Sequence, residues 1–153
     1  MIMTDLVLES PHSPVGFHSA EWATPPHIFR ALDEEFHFTL DVCASSANAK
    51  CARFFTAEED GLKQDWGSET VWCNPPYGRG QIERWARKAL ESSRGGATVV
   101  MLLPSDTGTG WWHDYCAKGE QRFLRGRLKF GGCSGSPTFA SVIVIFRPAT
   151  LQE

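Results

Sequence analysis

The stretch ATVVMLLP, residues 97 to 104, decides the fold. Val99 to Leu103 are apolar without interruption, and Gly95-Gly96 and Ser105-Asp106 punctuate the two ends. A run of this length with no polar alternation predicts a strand buried on both faces, the pattern of a central strand in a mostly parallel sheet covered by helices. Working outward, GQIERWARKALESSRGG (80–96) predicts a helix closed by its glycines, and TVWC (70–73) a brief strand ahead of it. In EWATPPHIFRALDEEF (21–36), Thr24 is placed to cap a helix opened by Pro25 and Pro26 and running from about 25 to 35. FHFTLDVCA (36–44) alternates Phe36, Phe38, Leu40 and Val42 with polar residues, which predicts a strand ending in Asp41 and small side chains.

SSANAKCARFF (45–55) predicts a short helix, TAEEDGL (56–62) a polar turn and GWWHDYCAKG (110–119) another short helix. RFLRGRLKFGG (122–132) and FASVIVIFRP (139–148) predict two late strands, the final pair antiparallel. Alternation of strands and helices argues an α/β sheet. The organisation expected is a flexible lead-in over residues 1–20 and one domain over 21–150.

No apolar run reaches the roughly 18 residues of a membrane span, and the start lacks a signal-peptide pattern, so an intracellular protein is expected. Cys43, Cys51, Cys73, Cys116 and Cys133 are odd in number and contain no C-x-x-C pair, which favours reduced thiols over a zinc site or a disulfide framework. No metal is expected. Cys73 beside Asn74 is a conceivable nucleophile, although no His lies near it in sequence. The net charge of −3 is unevenly spread: residues 1–73 hold twelve acidic and four basic residues, residues 74–153 six acidic and eleven basic. A chain with one basic half can bind phosphates on one face.

The strand at 70–73 runs into Asn74-Pro75-Pro76-Tyr77. Proline fixes φ and lacks an N–H, so two in succession stiffen the turn and hold the carbonyls of Asn74 and Pro75 still as acceptors. Ligands of open α/β sheets sit beyond the carboxyl ends of the strands. Asp41 to Ala44, Asn74 to Tyr77 and Pro104 to Asp106 each follow a predicted strand, so all three are expected on one rim.

With these residues placed, the sequence resembles the Dam-type phage DNA adenine-N6 methyltransferases over about Glu21 to Pro148. The resemblance is carried, in order, by WATP, LDVCASSANAKC, FFTAEEDGLKQDW, VWCNPPY, MLLPSDTGTGWWH, GRLKF and FASVIVIF. It implies a Rossmann-like methyltransferase sheet, mostly parallel with a late antiparallel strand and helices on both faces. It also implies S-adenosylmethionine as cofactor, double-stranded DNA as partner, and a phage or prophage protein working in the bacterial cytoplasm. Asn74, Pro75, Pro76 and Tyr77 match the catalytic tetrapeptide of amino-group methyltransferases. Thr24 and Pro25 resemble the segment lying against the methionine part of the cofactor, Asp41 the acidic residue ending the first strand, and Asp65 and Trp66 the pair contacting its adenine. One departure is plain: where the wider fold places a D-x-F-x-G-x-G loop, this chain reads DVCASSA and has no glycine.

These residue types suit the chemistry. An exocyclic adenine amine is weakly nucleophilic because its lone pair is delocalised, and acceptors at the Asn74 side chain and the Pro75 carbonyl favour the pyramidal nitrogen as positive charge develops on it. The target base must leave the duplex, and Tyr77 offers a stacking face, with Phe130 the candidate for the opposite one. Arg125, Arg127 and Lys129 alternate in a strand pattern and would share a face as phosphate contacts. The competing readings are a methyltransferase acting on RNA or a protein glutamine amide, and a non-catalytic DNA-binding remnant of the fold. So small an enzyme could use a second subunit, as a homodimer, to grip a duplex.

Overall fold

A computed structural model describes residues 23–130 and 139–149. The expected lead-in, Cys133 and the Gly/Ser/Pro stretch around it lie outside these residues. Helix α1 (Pro26–Phe36) begins at the prolines, with Pro25 as its cap and no side-chain capping bond, so Thr24 is not the cap the sequence suggested. It ends at His37, which takes the left-handed conformation and donates its N–H to the Asp33 carbonyl.

Strand β1 (Leu40–Asp41) is much shorter than the alternation from Phe36 predicted. Phe36 closes the helix instead, and Phe38 stacks on both Phe29 and Phe36 while tilting against Trp72. Phe36 and Phe38 thus share one aromatic layer for the sake of the helix end, and the period of two arises without a ladder.

Residues 45–55 are turns and not the expected helix. Side-chain acceptors take the N–H groups a helix needs: Asp41 accepts from Cys43 and Lys50, and Asn48 from Ser45. Phe54 then forms an isolated parallel bridge with Asp41 along the outer edge of β1. A 3₁₀ turn (Gly61–Lys63) follows, capped by Asp60. Gly61 is required there, because a Cβ would lie 2.2 Å from the Val42 carbonyl oxygen.

Next come β2 (Thr70–Cys73), α2 (Gln81–Arg94), β3 (Thr98–Pro104), a short α3 (Gly110–Asp114), β4 (Glu120–Phe123) and β5 (Ser141–Phe146). The sheet order is β1-β2-β3-β5-β4. β1, β2 and β3 are parallel, and β5 is inserted antiparallel between β3 and β4. Four strands therefore run one way and one late strand the other.

The two faces divide the apolar runs residue by residue. Val71, Cys73, Val99, Met101 and Val144 pack with Ile82, Trp85, Ala86 and Ala89 of α2 and with Trp112 of α3. Trp72, Val100, Leu102, Ile143 and Ile145 pack with Leu32 of α1 and with Leu128 and Phe130. Helices thus cover both faces, as a continuous apolar strand requires. β4 stops at Phe123, so the strand expected to run through Phe130 does not form. Gly126 has a φ of +75° and turns the chain away, and residues 124–130 carry no strand after the Leu124 N–H bond to the Ser141 carbonyl.

Candidate active site at the carboxyl rim of the sheet

Parallel pairing of β1, β2 and β3 brings Asp41, Asn74 and the segment after Pro104 to the same end of the sheet. Asn74 leaves β2 at this rim and is fixed through both ends of its carboxamide. Its Nδ2 donates to the Thr24 hydroxyl at 3.0 Å, and its Oδ1 faces the Tyr77 hydroxyl at 3.1 Å. The amide nitrogen and oxygen are thus each held by a hydroxyl, one from the chain ahead of α1 and one from the double-proline turn. Thr24, only 3 % exposed, positions Asn74 instead of capping α1.

The one hydroxyl proton of Tyr77 faces two acceptors, Asn74 Oδ1 and, at 2.9 Å, the Leu102 carbonyl of β3, and this bridge ties the double-proline turn to the sheet interior. Burial pushes its phenol well above the ordinary tyrosine range, so the hydroxyl stays a donor. The ring meets Phe130 and Phe139 edge-on, at centroid distances of 6.3 and 5.8 Å. Phe130, the expected second stacking face, is thus a buried member of an aromatic cluster with Tyr77.

Asp41 is buried, and its two carboxylate oxygens take the N–H groups of Cys43 (3.2 Å) and Lys50 (3.0 Å), one near each end of the 43–50 loop. Burial raises its pKa against the opposing pull of those bonds and of Lys50. Among the described non-glycine residues only His37 and Asp60 have positive φ, so every residue of this loop sits where an L side chain is at ease. The missing glycines have no conformational task here. A cleft lined by Ala23, Thr24, Asp41, Cys43, Asn48, Lys50, Trp72 and Asn74 opens beside the loop.

Asp65 and Trp66 are not brought to this rim. Gly67 and Ser68 lie beside Gly96, just ahead of β3, at the amino ends of the strands. The Asp65 carboxylate accepts from the Gly67 N–H and closes its own turn. Trp66 is 1 % exposed, donates from Nε1 to the Gly61 carbonyl, stacks near Trp85 and carries Lys88 over its ring. It is a core residue. The acid near the rim is Asp60, whose turn abuts the Val42 carbonyl and whose charge acts on the Cys43 thiol. The Asp-Gly pair at 60–61 was the sequence signal for that turn.

Cys73 points into the α2 face and is fully buried, which pushes its thiol far above the usual range and removes it as a nucleophile. Among the described residues no cluster of His, Cys, Asp or Glu is arranged to hold a metal ion, and no helix is long and apolar enough to cross a membrane.

Arg125, Arg127 and Lys129 are exposed and alternate with half-buried Leu124 and buried Leu128 and Phe130, although no strand holds them. No ion pair forms at these three among the described residues. Arg122, by contrast, is committed: it makes a two-pronged bond to Glu35 at 2.7 and 2.8 Å and a third to Glu120.

Residues 17–151 match the model of the family described as DNA N-6-adenine-methyltransferase (Dam). The DNA N-6-adenine-methyltransferase of Escherichia phage T1 is 37 % identical over 93 residues, a match that covers 60 % of this chain and 38 % of the phage protein. The YfdM protein of Escherichia coli strain K12 is 38 % identical over 64 residues, covering 37 % of this chain and 70 % of that protein. With the asparagine, the double-proline turn and the order of strands in place, the chain belongs to the DNA N-6-adenine-methyltransferase (Dam) family.

Proposed function

We propose that this chain transfers a methyl group from S-adenosylmethionine to the N6 amino group of adenine in double-stranded DNA, acting on a base rotated out of the helix. The observation that carries the reading is the Asn74 carboxamide, held between Thr24 and Tyr77 at the carboxyl end of β2 and followed directly by the Pro75 carbonyl. The cleft fits the cofactor in its chemistry: it joins one carboxylate, one ammonium and neutral polar groups to apolar walls, which suits a ligand with a zwitterionic end on an aliphatic chain. When bound, that cofactor supplies an electrophilic sulfonium methyl.

The chain's own residues do the rest. Asn74 and Pro75 present acceptors that take N6–H bonds and stabilise the positive charge developing on the nitrogen. No strong base is needed first, because the amine is neutral and loses its proton after transfer. Tyr77 receives the extruded base, its ring backed edge-on by Phe130 and Phe139, and stacking of about 1 to 3 kcal/mol offsets much of the few kcal/mol that extrusion costs. Arg125, Arg127 and Lys129 meet backbone phosphates. Thr24 and Asp41 border the methionine side of the cleft, and Asp60 is a better placed acceptor for the cofactor's adenosine than Asp65.

The test is incubation with labelled S-adenosylmethionine and adenine-containing duplex DNA, followed by nucleoside analysis. N6-methyladenine is the expected product. Label found only in RNA or on a protein glutamine would refute the DNA assignment, and cofactor binding with no label anywhere would favour a non-catalytic member of the fold.

A further inference from the structure

We propose that Lys50 binds the α-carboxylate of the methionine end of S-adenosylmethionine, replacing with one cation the backbone donors that a glycine loop would present. The inference rests on the reading above and names the anion-binding residue of that site.

The loop after β1 has few donors to give. Val42 donates to the Trp72 carbonyl, Ala44 to the Phe55 carbonyl, Ser45 to the Asn48 side chain and Asn48 to the Ser45 carbonyl. The N–H groups of Cys43 and Lys50 go to Asp41. A backbone nest that cradles an anion needs successive N–H groups pointing outward, and the four successive ones that open this loop, Val42 to Ser45, are spent within the protein.

Lys50 supplies what the loop lacks. Its ammonium crosses the cleft to lie 3.5 Å from the Thr24 carbonyl oxygen and 5.9 Å from the centre of the Phe29 ring. Thr24 in turn holds Asn74, so a single residue links this ammonium to the Asn74 carboxamide. Among the described residues Lys50 makes no ion pair, although the Asp41 carboxylate lines the same cleft. A cation and an anion held apart across one cleft are the complement of an amino acid's carboxylate and ammonium. Lysine acts there as a point charge.

Calorimetric titration of the full chain with S-adenosylhomocysteine, and with its counterpart lacking the carboxylate, separates the outcomes. Wild type should prefer the carboxylate form by about tenfold or more. Lys50→Met should erase that preference by weakening the carboxylate form alone, leaving the decarboxylated ligand within about threefold of wild type, and Lys50→Arg should restore most of it. If Lys50→Met still discriminates, or if both ligands weaken equally, the assignment is overturned while the cofactor reading stands. If wild type binds neither ligand, the cofactor reading fails and this assignment with it. Unfolding curves for both variants distinguish a loss of binding from a loss of fold.

Discussion

Asn74 is held by Thr24 from one side and Tyr77 from the other, and the two contacts predict different losses. Under the proposed mechanism Asn74→Ala removes an acceptor for the charge developing on N6, so kcat should fall by about 10²- to 10³-fold with cofactor affinity nearly intact. Single-turnover methylation and cofactor titration check this pair, and parallel loss of both would make Asn74 a structural residue. Tyr77→Phe leaves the acceptor in place but loosens it. The lost hydrogen bond is worth about 0.5 to 1.5 kcal/mol, so kcat should fall only about threefold to tenfold. At this scale the sequence was informative about Asn74 through its two prolines, and less so about its partners. Thr24 is fifty positions away, and Thr-Pro-Pro reads equally well as a helix start, so its hydroxyl's true destination had no local signature. Trp66 misled for a related reason: a large aromatic beside an acid looks the same whether it meets a ligand or another tryptophan.

Elements were legible where burial alone dictates them. Residues 97–104 and the stripe of Ile82, Trp85, Ala86, Ala89 and Leu90 on α2 needed no knowledge of distant partners. The connections were not. Phe36 and Phe38 alternate because one ends a helix and the other fills the layer beside it, and residues 45–55 lose their helix to the side chains of Asp41 and Asn48. The strand forecast through residues 124–130 fails at Gly126, although its in-and-out alternation survives. The turn at Gly61 gives the sharpest test of an element. Gly61→Ala would push a methyl group against the Val42 carbonyl and the Trp85 ring, and neither backbone nor core can yield cheaply. A loss of roughly 1 to 3 kcal/mol is expected. Chemical denaturation should show it as a lower midpoint at unchanged slope.

Across the whole molecule, Arg122 on β4 joins Glu35 at the end of α1, while Arg147 pairs with Glu120 and both guanidiniums lie 5.7 Å from the centre of the Phe36 ring. Hydrogen bonds from Arg122 and Arg147 hold the Glu35 and Glu120 carboxyls below the usual glutamate range. A depressed acid contributes stability that is present above its unfolded pKa and lost as the pH falls through its folded one. Arg122→Gln should therefore destabilise by about 1 kcal/mol or less near pH 7, because these groups are largely exposed. The gap from wild type should close as the pH drops below the ordinary glutamate value, which melting curves between pH 3 and 7 would reveal. The bond from Tyr77 to the Leu102 carbonyl has a consequence for how the protein fails on heating. Leu102 sits on the strand in the middle of the sheet with no solvent exposure, so the turn beside it is anchored to a part of the molecule expected to open only when everything opens. Inactivation and loss of secondary structure should then follow one common temperature profile, with no cooler step in which methyl transfer is lost while the sheet survives.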